Sequence, residues 1–129
     1  MTNLNIQQEI IEKGLTAPRV TPVDIEANIV REEYFTAFDG LLGNEIATGG
    51  TAAVLPTIEP DSKSPFELLT FCVLVLQNGF TVTGESACVS PENFNAEIGR
   101  KVARDNAIQK IWPLMGYALK EQLKGKSND

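Results

Sequence analysis

The chain has 129 residues, 43% of them hydrophobic and 22% charged, with a formal net charge of −6 and no histidine. That is enough chain for one domain with a core needing neither disulfide nor metal staples. The missing imidazole excludes Ser-His-Asp and Cys-His catalysis and most zinc sites, and the acidic balance makes the chain a poor general binder of nucleic acid.

The charge is uneven. Residues 1–65 carry ten acids and four bases, whereas residues 66–129 carry seven of each. No apolar run approaches the roughly 18 residues of a membrane span. The opening Met-Thr-Asn-Leu-Asn-Ile-Gln-Gln-Glu lacks the basic and apolar regions of a signal peptide. A cytoplasmic protein with no membrane association is expected.

In chain order, Ile6–Lys13 reads as a short helix closed by Gly14, followed by an extended linker through Val20. Thr21-Pro22-Val23-Asp24 has the cap, proline and acid of a helix start, and a second helix is expected to run to about Ala37. Tyr34, Phe35 and Phe38 form an aromatic anchor at its end. Residues 39–65, with four glycines and three prolines, read as a long loop. Within it, Thr51-Ala52-Ala53-Val54-Leu55 is the candidate for a short third strand.

The centre of the sequence is the apolar run Leu68–Leu76, a turn at Asn78-Gly79 and a return through Phe80–Ser86. Asn-Gly between two β-rich runs predicts a two-residue type I′ hairpin with positive φ at both turn residues. That register opposes Val75 to Val82 and Val73 to Gly84. Phe71, Val73, Val75, Phe80 and Val82 then share one face, and Cys72, Leu74 and Leu76 the other. A strand apolar on both faces is usually covered on both. Leu74 and Leu76 therefore need a cover, either the helix after Thr21 or a second copy of the chain, which makes them the candidate self-association residues.

Ser90-Pro91-Glu92 predicts the start of a helix through Trp112. Its expected apolar side holds Ala96, Ile98, Gly99, Val102, Ala103 and Ala107. Gly99, Ala103 and Ala107, four apart, form a ridge small enough to let the helix lie close against the sheet. Asn106 reads as a satisfied amide. Pro113 is expected to end or kink this helix, and a further helix and polar tail follow. The expected architecture is α+β: an antiparallel hairpin, with or without a third short strand, packed on a long helix with helices N-terminal to it. The single domain 1–129 divides into 1–38 (helical), 39–65 (loop), 66–112 (hairpin and helix) and 113–129 (C-terminal helix and tail).

No catalytic or metal-ligating set emerges. Glu85 and Glu92 flank one loop but read as surface acids. Cys72 and Cys88 read as free thiols, since the hairpin geometry keeps them apart. The candidate ligand site is an anion site at the strand-to-helix junction, with Ser90 at the helix start and Arg100, Lys101 and Arg104 on later turns. A strand-turn-strand-helix with a basic helix is also similar in layout to the end of a double-stranded-RNA-binding domain, although Glu92 and Glu97 dilute the basic face.

Two blocks carry a family resemblance: Leu68–Cys88, ending in Glu-Ser-Ala-Cys, and Ser90-Pro91-Glu92-Asn93-Phe94 through Lys110-Ile111-Trp112-Pro113-Leu114-Met115-Gly116-Tyr117. They resemble the gene-product-49-like family of small tailed-phage and prophage proteins, about half the chain closely, and more loosely at Thr21–Glu26 and Tyr34–Thr36. The resemblance implies a phage-encoded accessory protein in the host cytoplasm and supplies no catalytic residues. The expected function is non-enzymatic binding of a host protein, in takeover or defence evasion, without a cofactor. The alternatives are an oligomeric nucleotide or anion sponge and a double-stranded nucleic-acid-binding module.

Overall fold

The computed structural model describes residues 4–50 and 64–127. In chain order it contains α1 (Leu4–Glu12), α2 (Pro22–Asn28), β1 (Ile29–Thr36) and α3 (Ala37–Ala47). A 3-10 turn (Pro65–Leu68) then leads into β2 (Leu69–Leu76) and β3 (Thr81–Ala87), and a second 3-10 turn (Pro91–Asn93) precedes α4 (Ala96–Ser127). The sheet is antiparallel in the order β1-β2-β3, with α4 packed across β2 and β3. The α+β class and the hairpin-on-helix core are as expected.

The hairpin differs in its turn, and the difference inverts its faces. Leu76 donates its N–H to the Phe80 carbonyl at 2.8 Å, and Gly79 N–H reaches the Leu76 carbonyl at 2.9 Å. The loop is therefore Gln77-Asn78-Gly79, three residues in which only Gly79 has positive φ, at 89°. This is the type I turn plus left-handed glycine that three-residue hairpins favour. Asn78 Oδ1 accepts from Phe80 N–H at 2.9 Å. Gln77 is unavailable to pair with Phe80 because it is bound on the other side of β2. Its N–H donates to the Asn28 carbonyl at 3.0 Å, and its side-chain amide to the Ala27 carbonyl at 2.8 Å.

The resulting register opposes Leu74 to Val82 and Cys72 to Gly84. A one-residue slip moves a whole strand's side chains to the opposite face. Val82 thus joins Cys72, Leu74 and Leu76 in the core, while Phe71, Val73 and Val75 share the outer face with Thr81, Thr83 and Glu85.

The cover for Leu74 and Leu76 is α4. Both are buried within one chain, so neither presents a surface to a second copy, and the self-association assigned to them has no exposed side chain to act through. Burial of a side chain such as Leu74 or Ile111 stabilises the fold by about 1.5–3 kcal/mol.

The close approach of α4 rests on small residues, as expected. Ala103 and Ala107 are fully buried. A Cβ on Gly84 would collide with the Ala103 carbonyl oxygen and the Ala107 nitrogen, and one on Gly99 would sit 3.1 Å from Thr70 Oγ1. The buried stripe is rotated from the expected one, however. It runs Ala103, Ala107 and Ile111, with Ile108 and Met115 packed beside it, while Ile98 and Val102 are exposed.

Residues 29–36 form a strand where a helix was expected. Thr21 and Asp24 exchange both capping-box bonds, so α2 starts as read, but it stops after Asn28. The β-branched pair Ile29-Val30 and the later Tyr34-Phe35-Thr36 favour extended backbone, and β2 offers a full antiparallel partner, with a bulge between Ile29 and Arg31. A second capping box, Thr36 with Asp39, opens α3 inside the supposed loop. Thr51–Leu55 lies outside the described residues.

Ser90 opens only the short 3-10 turn. The cap of α4 is Asn95, whose Oδ1 accepts from Ile98 N–H at 3.0 Å. The helix also continues through Pro113. Pro113 and Gln109, whose carbonyl loses its usual donor, are both exposed, so the gap lies on the solvent side of the helix.

Candidate functional site

The four residues expected to hold an anion are distributed among separate environments. Ser90 makes no side-chain capping bond and lies five residues before the α4 cap. Lys101 pairs with Glu97 one turn away at 3.2 Å. Arg100 lines a cavity of about 110 Å³ with Tyr34, Thr36, Asp39 and Phe94.

Arg104 is the centre of a cluster joining α2, β1 and α4. Its guanidinium forms a fork with Glu26 at 2.7 and 3.0 Å and meets the Glu32 carboxylate at 3.2 and 3.3 Å. The Tyr34 hydroxyl donates to Glu32 Oε2 at 2.6 Å. Arg104 is a cation already matched by two carboxylates, not a free anion ligand.

Hydrogen bonds and burial shift each group of the cluster. Arg104 hydrogen bonds hold the Glu26 carboxyl below the usual range; for Glu32 the Tyr34 hydroxyl contributes most and Arg104 adds to it. Glu26 in turn raises Arg104 further above its ordinary value. Burial, then the Glu32 carboxylate, pushes the Tyr34 phenol up, and burial does the same to the Cys72 thiol. Each shift moves its group further from neutral pH, and the hydrogen bonds tie α2, β1 and α4 together. Sequence reasoning missed it because Glu26 and Glu32 lie 78 and 72 residues from Arg104.

The outer face of the sheet is the second feature. Leu69, Phe71, Val73 and Val75 form a half-buried apolar column along β2, whereas the alternate residues Thr70, Cys72, Leu74 and Leu76 are buried under α4. Phe35 extends the column sideways, its ring 5.8 Å from that of Phe71 and tilted by 36°. The margins are polar, with the Arg31–Glu33 pair at 2.7 Å on β1 and exposed Thr81, Thr83 and Glu85 on β3. The apolar column is thus bordered on both sides by polar side chains.

A third feature is an open groove of about 450 Å³ between α2, the hairpin turn and the far half of α4. Val20, Met115, Ala118 and Leu119 give it an apolar floor, and Arg19, Asp24 and Gln77 a polar rim. Among the described residues no helix is long and apolar enough to cross a membrane, and no group of three or more His, Cys, Asp or Glu could hold a metal ion.

A model of a family described as phage protein (N4 Gp49/phage Sf6 gene 66) matches residues 20–123. This span takes in α2, the whole sheet and nearly all of α4. No curated protein and no solved structure matches the chain.

Proposed function

Because this chain belongs to the N4 Gp49/phage Sf6 gene 66 family of phage proteins, we propose that it acts by binding a host protein through the outer face of its sheet, without chemistry of its own. The observation that carries this reading is the half-buried column Leu69, Phe71, Val73 and Val75, widened by Phe35 and rimmed by polar side chains. Burying such a column against a partner removes apolar surface from water at about 25 cal/mol per Å². The polar margins of β1 and β3 would fix orientation. In the Arg104 cluster every shift runs away from neutral pH, which favours a structural role for these residues. Ion pairing also weakens the anion-sponge and nucleic-acid readings, because two of the three proposed basic ligands already have carboxylate partners.

The test is affinity capture from host lysate with the wild type, Val75→Lys and Phe35→Ser, each checked for native circular dichroism. A host protein retained by the wild type and lost from both variants supports the reading. Capture of nothing by the wild type, or equal capture by folded variants, overturns it.

A further inference from the structure

The two edges of the sheet are not equivalent. The 2.8 Å bond from Leu76 N–H to the Phe80 carbonyl, and the 2.9 Å bond from Cys88 N–H to the Leu68 carbonyl, fix which β3 residues turn their backbone toward β2. By the period of two these are Phe80, Val82, Gly84 and Ser86, so Thr81, Thr83 and Glu85 point their N–H and C=O groups off the sheet. The edge is closed at Glu85. Its carbonyl accepts from the Asn106 amide at 2.8 Å, and its carboxylate lies 4.0 Å from Lys110. At Thr81 and Thr83 no described group meets the edge, and both residues are exposed.

We propose that two copies of this chain pair through this open span, β3 against β3 antiparallel across a two-fold axis, with Thr81 opposite the partner's Thr83. That register uses every free edge group of the span. Thr81 and Thr83 exchange both backbone bonds with their counterparts, giving four hydrogen bonds around the axis. Thr–Thr neighbours stack on the outer face, a favourable cross-strand pair. Val82 falls opposite its own symmetry mate in the backbone register, and its side chain stays buried under α4 within its own chain.

Charge permits a second copy at this edge. Residues 80–84 carry no charge, so self-pairing opposes no like charges. The β1 edge carries features that hinder pairing: a register irregularity between Ile29 and Arg31 and three consecutive charged residues, Arg31-Glu32-Glu33. The product is a six-stranded sheet with an α4 on each half.

A contact this short belongs to the weak class of interfaces. Light scattering of the wild type is therefore expected to show a mass rising with concentration toward twice 14.1 kDa. Under dimeric conditions, amide exchange should be slow at Thr81 and Thr83. The double variant Thr81→Lys/Thr83→Lys should stay at the monomer mass. A wild-type mass fixed at 14.1 kDa up to the solubility limit overturns the proposal. So does a dimer whose Thr81 and Thr83 amides exchange freely, or a folded lysine variant that still dimerises. If the lysine variant fails to fold, the wild-type exchange measurement decides.

Discussion

Gly84 is the residue on which the helix–sheet contact turns. It lies in the middle of β3 opposite Cys72, where a side chain would strengthen the strand. Its hydrogen stands where any Cβ would strike the Ala103 carbonyl and the Ala107 nitrogen, with Ala107 Cα 3.0 Å away. These are backbone atoms of a packed helix, so they cannot swing aside as a long side chain would. Gly84→Ala is expected to destabilise the protein by about 1–3 kcal/mol, the cost of overpacking a tight core. Urea unfolding monitored by circular dichroism would show the midpoint fall, and an unchanged midpoint would refute the close contact. Half of this contact is legible from sequence alone: the ridge Gly99, Ala103, Ala107 announces a helix that approaches closely. Its counterpart is not, because a glycine in a strand reads equally as a bulge, a bend or a close approach.

Among the elements, β1 shows how a distant partner settles an ambiguous segment. Ile-Val-Arg-Glu-Glu-Tyr-Phe-Thr holds both helix and strand formers. Pairing with β2 turns Glu32 and Tyr34 to the helix side, where Arg104 waits. The arrangement has a pH signature. The folded Glu26 and Glu32 carboxyls titrate below their ordinary 4.5, so their stabilisation is complete above that value and is lost as pH falls through the lower folded values. Arg104→Met is expected to cost about 1 kcal/mol near neutrality, modest because Glu26 and Glu32 remain partly exposed to solvent. Below about pH 4.5 the wild type should lose its advantage and the two stability curves converge. Urea midpoints across pH 3–7, measured on both proteins, check this; curves that stay parallel throughout would show that the carboxylates do not feel Arg104.

At the scale of the molecule, one core serves the sheet and α4 together. Among the described residues, the buried cluster draws on α2, β2, β3 and α4 and includes none of α1. The bond from Arg19 to Gln7, at 2.6 Å, ties α1 to the segment before α2. A chain lacking residues 1–14 is therefore expected to unfold in one cooperative transition with stability reduced by no more than about 1 kcal/mol. Calorimetry of the shortened and full chains tests this, and a lost or split transition would place α1 inside the cooperative unit.

The sequence by itself determined the class of the fold, the hairpin on a long helix, the small-residue ridge and the start of α2, because these follow from local preferences: periodicity, capping and turn chemistry. It also carried the Thr36–Asp39 cap of α3, a local signal hidden only by the glycines that follow. Tertiary structure decided the rest. Gln77 turned to Ala27 and Asn28, which lengthened the hairpin loop by one residue and exchanged the strand faces. Glu26 and Glu32 took up Arg104, one of the four residues expected at the anion site. In both cases the deciding partner lies about fifty or more residues away along the chain, where no periodicity or motif reaches and only the folded geometry brings the groups within hydrogen-bonding distance.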